Sequence, residues 1–213
     1  MNYQPLKYIY KSSGNPAAPT LLLLHGTGGD EKDLLSLADN FGNGINVLSL
    51  RGNVSEGGMP RFFKRLGMGV FDEEDLTSRT HELVEFVKGL SEKEGFDPGK
   101  IIALGYSNGA NITGSILVLY PDFLAGAILY RPMQPFKTMP ESKNSAATPI
   151  FLSTGKMDPT INPENTVKYI EKLKNMGFDV THVDLTTSHG LTNADITLSV
   201  DWFHNHFNKE KSQ

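Results

Sequence analysis

The pentapeptide Gly105-Tyr106-Ser107-Asn108-Gly109 is the sequence feature that most constrains how this chain can fold. It follows the apolar run Ile101-Ile102-Ala103-Leu104 and precedes a run of small and apolar residues, 110–120. A serine between glycines at a strand-to-helix turn indicates a nucleophile elbow, because the crowded backbone leaves no room for flanking side chains. Since the five residues alone can match by chance, the interpretation depends on the surrounding strand and helix. The pattern predicts Ser107 as the candidate nucleophile.

Segments with strand patterns alternate with segments with helical periodicity along the chain. The strand-type segments are residues 6–11, 20–24, 45–50, 101–104, 123–130, 149–154 and 180–185, and the helical ones are 34–38, 73–94, 110–120, 164–176 and 191–207. This alternation predicts an α/β fold with a mostly parallel central sheet and helices on both faces. Two long connections, 51–72 and 131–148, are expected to flank one site, because connections of this length are usually functional.

Length and composition narrow the classes of protein that need to be considered. The 213 residues suit a single domain covering 1–213, and the net charge of -4 argues against a nucleic-acid partner. The longest apolar runs, Thr20–Leu24 and 116–120, are far shorter than the ~20 residues of a membrane-spanning helix, so membrane insertion is not expected. The chain has no cysteine and its first residues do not resemble a secretory signal. We therefore expect a cytoplasmic location.

A serine nucleophile needs a base within hydrogen-bond reach and a third group that orients the base. His189 is the best candidate base, because it follows a predicted strand at the edge where parallel sheets present functional loops. Asp158 follows the preceding strand and is the best orienting acid, whereas Asp179 and Asp184 lie before or within a strand. The order Ser107, Asp158, His189 is the order this architecture uses.

Four segments together resemble the small phospholipases and carboxylesterases of the α/β-hydrolase superfamily, which include acyl-protein thioesterases. They are His25-Gly26-Thr27-Gly28-Gly29-Asp30, the elbow with Ala110, Gly155-Lys156-Met157-Asp158-Pro159 and Ser188-His189-Gly190. The resemblance implies an α/β-hydrolase fold and an oxyanion hole made by the backbone N–H groups of Thr27 and Asn108. Asn108 stands where the family usually has glutamine, and residues 51–65 look more like a bacterial carboxylesterase-like subgroup.

The expected activity is hydrolysis of carboxylic esters with small to medium acyl groups through an acyl-enzyme, without a cofactor. A thioesterase, a lysophospholipase, a peptidase or a lactonase is an alternative on the same fold. The resemblance also includes hydrolases associated with quinone and catechol stress, and a cofactor-free oxygenase would use His189 as a base on a quinone-like ring. A non-catalytic binding protein is disfavoured because no triad residue is missing. The expected partner is a small-molecule ester, and a homodimer is compatible with a small enzyme of this type.

Aromatic and sulfur-containing side chains in the two long connections are candidates for the substrate pocket, namely Phe62, Phe63 and Met133. The basic cluster Arg61, Lys64 and Arg65 is interpreted as a solvated face, with attraction of an anionic substrate as the alternative.

The remaining histidines suggest no metal site. His25 is predicted to shape the oxyanion loop, and His81 lies in a predicted helix as a structural or surface residue. His204 and His206 resemble a metal-binding pair, but residues two apart on a helix point in different directions and no third ligand accompanies them. We therefore expect no bound metal.

Overall fold

The apolar runs form the centre of a seven-stranded sheet in the computed structural model, which describes residues 5–207. The strands are β1 Lys7–Lys11, β2 Thr20–Leu24, β3 Asn46–Arg51, β4 Val54–Glu56, β5 Met59–Arg61, β6 Arg65–Gly67, β7 Val70–Phe71, β8 Ile101–Tyr106, β9 Gly126–Tyr130, β10 Pro149–Gly155 and β11 Asp179–Leu185. The large sheet has the order β1-β3-β2-β8-β9-β10-β11. Only β1 runs antiparallel to its neighbour β3, so the predicted mostly parallel sheet is confirmed.

In the described part of the chain, five α-helices cover the two faces of this sheet. They are α1 Leu35–Ala38, α2 Glu73–Glu94, α3 Asn108–Leu119, α4 Pro163–Asn175 and α5 Asn193–Phe207. Side chains of β2 alternate between two apolar clusters, because successive residues of a strand point to opposite faces. Leu22 and Leu24 pack in the cluster with α2, α3 and α4, whereas Leu21 and Leu23 pack in the cluster with α1 and α5.

Helix boundaries follow local capping chemistry. The predicted helix over 73–94 is confirmed, because the Asp72 carboxylate accepts from the Asp75 N–H at its start and Gly95 adopts φ 78° at its end. The strand predicted over 123–130 is wrong at its start, since β9 begins only at Gly126. Phe123 instead donates its N–H to the Tyr120 carbonyl at 3.0 Å, which places it in a turn after α3.

The segment 51–72, predicted as a long connection, has secondary structure of its own. It contains two hairpins, β4–β5 and β6–β7. Gly57 and Gly58 connect β4 to β5 with φ values of 57° and 85°, as a two-residue hairpin turn with both central residues at positive φ requires. Strands of two or three residues show no recognisable alternation, so sequence periodicity cannot reveal them.

The parallel strands end at the edge of the sheet that carries the candidate site. Ser107 directly follows β8, Asp158 lies beyond β10 and His189 lies beyond β11. Because β8 and β11 are separated by only β9 and β10, the three residues converge at this edge. No helix within residues 5–207 is long and apolar enough to cross a membrane.

Candidate active site

Ser107 lies on a strained turn between β8 and α3. Its φ is 52° and its ψ is -110°, an unusual conformation for a residue with a side chain, and its N–H donates to the Tyr130 carbonyl at 2.9 Å. A Cβ on Gly109 would lie 1.9 Å from the Leu24 carbonyl oxygen, and one on Gly105 would lie 2.5 Å from the Gly109 carbonyl oxygen. Both glycines are therefore required by backbone contact, as the elbow interpretation expects.

The structure brings Ser107, His189 and Asp158 into one hydrogen-bonded row. His189 Nε2 lies 3.0 Å from Ser107 Oγ, and His189 Nδ1 lies 2.6 Å from Asp158 Oδ2. The Asp158 side chain is fully buried, whereas that of His189 is one-third exposed at 33%. This arrangement can pass a proton from the serine hydroxyl to an imidazole that a buried carboxylate holds in place.

Thr160 completes the surroundings of the carboxylate. Its N–H and Oγ1 donate to Asp158 Oδ1 at 2.9 and 2.7 Å. Burial alone would raise the pKa of Asp158, but the hydrogen bonds from Thr160 and His189 outweigh burial and place that pKa below its ordinary value. Asp158 is therefore ionised at neutral pH, and sequence reasoning missed Thr160 because an Asp-Pro-Thr turn carries no distinctive signal.

Thr27 and Asn108 line the same cavity as Ser107. Within residues 5–207 neither backbone N–H donates a hydrogen bond. Asn108 begins α3, where an N–H has no partner inside the helix. The two donors predicted for the oxyanion hole are therefore available to a ligand beside Ser107.

The hairpin β4–β5 and the residues after it contact both segments that carry these donors, the Thr27 loop and the start of α3. Gly28 donates its N–H to the Pro60 carbonyl at 2.9 Å, and an Arg61 Nη1 hydrogen bonds to Thr27 Oγ1. At the start of α3, the Phe62 N–H donates to Asn108 Oδ1 at 2.8 Å. The Asn108 side chain thus supports the segment after the hairpin, while its backbone remains free for substrate.

His25 stabilises the loop that contains Thr27. Its Nδ1 lies 2.6 Å from the Gly26 carbonyl oxygen, and its Nε2 accepts from the Gly52 N–H at 3.0 Å. Burial lowers the pKa of His25, which favours this neutral form with one donor and one acceptor nitrogen. These contacts agree with the predicted loop-shaping role.

Arg131 and Asp195 form a buried ion pair behind His189 that sequence reasoning missed. Both side chains have 0% exposure, and two guanidinium nitrogens donate to the two carboxylate oxygens at 2.8 Å each. Arg131 also donates to the carbonyls of Ser188 and Gly190, which flank His189. The pair therefore fixes the turn that carries the candidate base. A basic residue directly after a buried strand was the available signal.

A cavity of about 280 Å³ opens over Ser107. Its lining includes residues from both long connections, among them Arg65 and Phe71 from the first and Met133 from the second. A second cavity of about 290 Å³ adjoins it and shares Gly69, Phe71, Met133 and Thr160 as walls. The site therefore offers room for a small substrate and an extension beyond it.

Two of the predicted pocket residues belong to the core instead. Phe62 and Phe63 are 2% and 0% exposed, and both pack in the cluster with α2 and α3 rather than along the cavity. Met133 lines both cavities, as predicted, and its N–H donates to Asn111 Oδ1 at 2.7 Å. Aromatic residues in a connection give the same sequence signal whether they face a core or a cavity, which explains the error.

The basic cluster is only partly a solvated face. Lys64 has 60% side-chain exposure, but Arg61 has 4% and Arg65 has 24%, and both arginines line the cavity. Outside the site, His81 Nδ1 lies 2.6 Å from the Tyr120 hydroxyl, and His206 Nδ1 donates to the Trp202 carbonyl. Among residues 5–207 no three metal-ligating side chains of the His, Cys, Asp and Glu types lie close enough to hold an ion.

The sheet order, the strained serine turn after β8 and the histidine beyond β11 define an enzyme of the α/β-hydrolase fold. The sequence matches the phospholipase/carboxylesterase family over residues 8–200, and the chain belongs to this family. It is therefore a hydrolase, as the resemblance in its motifs predicts.

Similar proteins agree with this assignment. MhqD of Bacillus subtilis (strain 168), a protein named as a hydrolase, is 42% identical over 198 residues, which cover 93% of this chain and 98% of MhqD. The crystal structure of the Bacillus cereus carboxylesterase matches with a TM-score of 0.91 and 41% identity, covering 95% of each chain. A structure of YahD with malic acid matches with a TM-score of 0.88 and 30% identity, covering 94% of this chain and 99% of YahD.

Proposed function

We propose that this chain is a carboxylesterase that cleaves small to medium acyl esters through a Ser107 acyl-enzyme. The observation that carries the proposal is the position of His189, with Ser107 Oγ at 3.0 Å from one ring nitrogen and Asp158 Oδ2 at 2.6 Å from the other. This is the geometry that general-base activation of a serine requires. The names of the similar carboxylesterase and hydrolase support the same reaction class.

In the proposed mechanism His189 Nε2 takes the proton of Ser107 as Oγ attacks the ester carbonyl carbon. The oxyanion that forms accepts hydrogen bonds from the Thr27 and Asn108 N–H groups, each worth roughly 3 kcal/mol in the transition state. His189 then gives its proton to the leaving alcohol, and the acyl group remains on Ser107. A water molecule deprotonated by His189 attacks the acyl-enzyme, and His189 returns that proton to Ser107 Oγ as the carboxylic acid is released. Asp158 stays ionised throughout and fixes the ring.

This chemistry uses only side chains, backbone amides and water, so the proposal includes no cofactor. The size of the cavity, about 280 Å³, supports a small acyl or alcohol group next to Ser107. The structure of YahD with malic acid, a small carboxylic acid, supports the lower end of that size range. The proposed partner is a small-molecule ester, and the proposed location is the cytoplasm, which the absence of cysteine supports.

Hydrolysis of 4-nitrophenyl acetate, butyrate and octanoate and of a matched thioester tests the proposal. We expect turnover of the short esters by the wild type and a fall in kcat of about three orders of magnitude or more for Ser107→Ala, as removal of a triad serine produces. The trend with chain length measures the pocket, and the thioester separates an esterase from a thioesterase.

Ser36→Ala provides the matched control, because Ser36 is an exposed serine on α1, outside the cavity. It should retain wild-type activity. If the wild type hydrolyses none of the esters and no fluorophosphonate labels Ser107, the triad does not act as proposed. Consumption of dioxygen with a quinone-like substrate would then favour the oxygenase alternative.

A further inference from the structure

The cavity over Ser107 has a charge asymmetry that ester hydrolysis itself does not require. Among the described residues that line it, three are arginines, Arg61, Arg65 and Arg131, and none is an aspartate or a glutamate. An uncharged ester needs no cation beside it, because backbone N–H groups bind the oxyanion. Arg131 and Arg61 also hold the loops beside the site, so Arg65 is the arginine that calls for a separate explanation.

The three guanidinium groups are not equally neutralised. Arg131 has a carboxylate of its own, because both Asp195 oxygens accept from it in the buried ion pair. Arg61 and Arg65 share the single carboxylate of Glu56, whose Oε2 lies 3.2 Å from Arg61 Nε and whose Oε1 lies 2.9 Å from Arg65 Nε. Two cations against one anion leave a net charge of about +1 at this wall of the cavity.

The pKa of Arg61 reflects the same imbalance. Burial lowers this pKa most, the positive charge of Arg65 lowers it further, and the attraction of Glu56 opposes them with a smaller effect. The guanidinium still carries its proton, since arginine does not lose it in proteins. An additional anion near Arg61 and Arg65 would relieve this repulsion.

Arg65 has donors available for such an anion. Its side chain is 24% exposed and lines the cavity with Ser107. Nε donates to Glu56, and Nη1 approaches only the weakly accepting Met68 sulfur at 3.4 Å. Within residues 5–207 Nη2 makes no hydrogen bond. A guanidinium with free N–H groups matches the two oxygens of a carboxylate.

We infer that the cavity is built for esters that carry a carboxylate, which Arg65 binds while Arg61 adds positive charge behind it. The inference deepens the proposed function and rests on it. The carboxylate could belong to the acyl part or to the alcohol part of the ester, and both would offer the same chemistry to Arg65. Each position is therefore tested with its own pair of substrates.

The test compares carboxylate esters with carboxamide esters of the same shape. For the acyl part, the pair is the 4-nitrophenyl monoester of adipic acid and that of adipic acid monoamide. For the alcohol part, the pair is 3-carboxyphenyl butyrate and 3-carbamoylphenyl butyrate. We expect wild-type kcat/KM to favour the carboxylate member of at least one pair by about tenfold or more, as a hydrogen-bonded charge pair gives. Added salt should reduce this preference.

Variants of Arg65 and its neighbour decide whether Arg65 is responsible. Arg65→Gln should abolish the preference through a higher KM for the carboxylate ester, and Arg65→Lys should keep part of it. Lys64→Gln removes the same charge from an exposed neighbour outside the cavity and should keep the full preference. Equal values within both wild-type pairs, or a preference that persists in Arg65→Gln, would overturn the inference.

Failure of the proposed function gives a different result, namely no turnover of any of the four esters. Binding then tests the inference directly. Calorimetric titration of the Ser107→Ala protein with each member of the two pairs should show tighter binding of a carboxylate member. Equal affinities would overturn the inference whether or not the wild type is an esterase.

Discussion

The two sides of Ser107 are supported in different ways. On the base side, the turn with His189 is held by the Arg131–Asp195 pair, whose side chains are both fully buried. On the side of the proposed oxyanion donors, called the oxyanion side below, the Thr27 loop is held by Arg61, whose partner Glu56 has 38% side-chain exposure. The hairpin β6–β7 next to Glu56 exposes apolar side chains, including 73% of Met68.

Because of this difference, changes on the two sides of the site should affect the stability of the protein to different extents. A buried pair that loses one member leaves an uncompensated charge in the core, so the base side is tied to the stability of the whole domain. The Arg61–Glu56 pair is partly exposed at Glu56 only, so loss of that carboxylate lets water approach and should affect folding less than loss of Asp195. We therefore expect substrate preference to depend on the two hairpins. The position of the base His189 should depend on the packing of the core.

The largest effect is expected from breaking the buried pair with Asp195→Ala. Arg131 would remain buried without a counterion, which should lower the free energy of unfolding by about 3–5 kcal/mol. Glu56→Ala, which removes the half-exposed carboxylate of the other side, should lower it by only about 1 kcal/mol, because Arg61 keeps its bonds to Thr27 and the Phe63 carbonyl. Urea unfolding of both variants measures the contrast. Equal losses would show that the two sides do not differ as described.

The sequence predicts those features of the fold and the site that have a local residue pattern. Apolar runs and helical periodicity place β2, β8 and α2, and glycines around Ser107 mark the elbow, because backbone crowding dictates residue type there. The order of Ser107, Asp158 and His189 follows from where strands end. Each of these inferences uses residues that are neighbours in the chain.

Neither supporting ion pair has such a local pattern. Asp195 is 64 residues from Arg131, and a lone arginine in a connection suggests a surface residue until the tertiary structure buries it. Arg61 was interpreted with Lys64 as part of a basic face for the same reason. The hairpin that places Arg61 against Thr27 depends on strands of three residues, too short for a recognisable period.

The next largest effect is expected from Arg61→Gln, which tests whether the hairpin β4–β5 positions the proposed oxyanion hole. Arg61→Gln should lower kcat for 4-nitrophenyl butyrate by about tenfold to hundredfold, since complete loss of one oxyanion donor costs about a hundredfold or more and this change only loosens the Thr27 loop. Lys64→Gln should leave kcat unchanged. Steady-state kinetics of both variants provide the measurement. A change confined to KM would mean that Arg61 binds substrate but does not support the transition state.

Acidification should affect the base side through its two carboxylates. Burial would raise the pKa values of Asp158 and Asp195, but hydrogen bonds, from Thr160 and from Arg131 respectively, hold both below the ordinary value. Their contribution to stability is thus complete above the unfolded-state pKa of about 3.9 and is lost as the pH falls through the lower folded-state values. Urea unfolding from pH 6 to pH 2 should show this loss, and Asp195→Asn should make it shallower. An unchanged slope would contradict the assigned role of Asp195.

The smallest effect is expected from Asn108→Ala on the oxyanion side. The variant removes the side-chain acceptor of the Phe62 N–H but keeps the backbone N–H at position 108, the proposed oxyanion donor. Stability should fall by about 1 kcal/mol, at the low end for an unpaired buried donor, because truncation leaves room for a water molecule. Since the backbone N–H at position 108 remains, kcat for 4-nitrophenyl butyrate should fall by less than for Arg61→Gln. Kinetics and urea unfolding of the two variants together test this ranking. A larger loss of kcat in Asn108→Ala would mean that the Asn108 side chain, and not the Arg61 contact to Thr27, sets the geometry of the oxyanion hole.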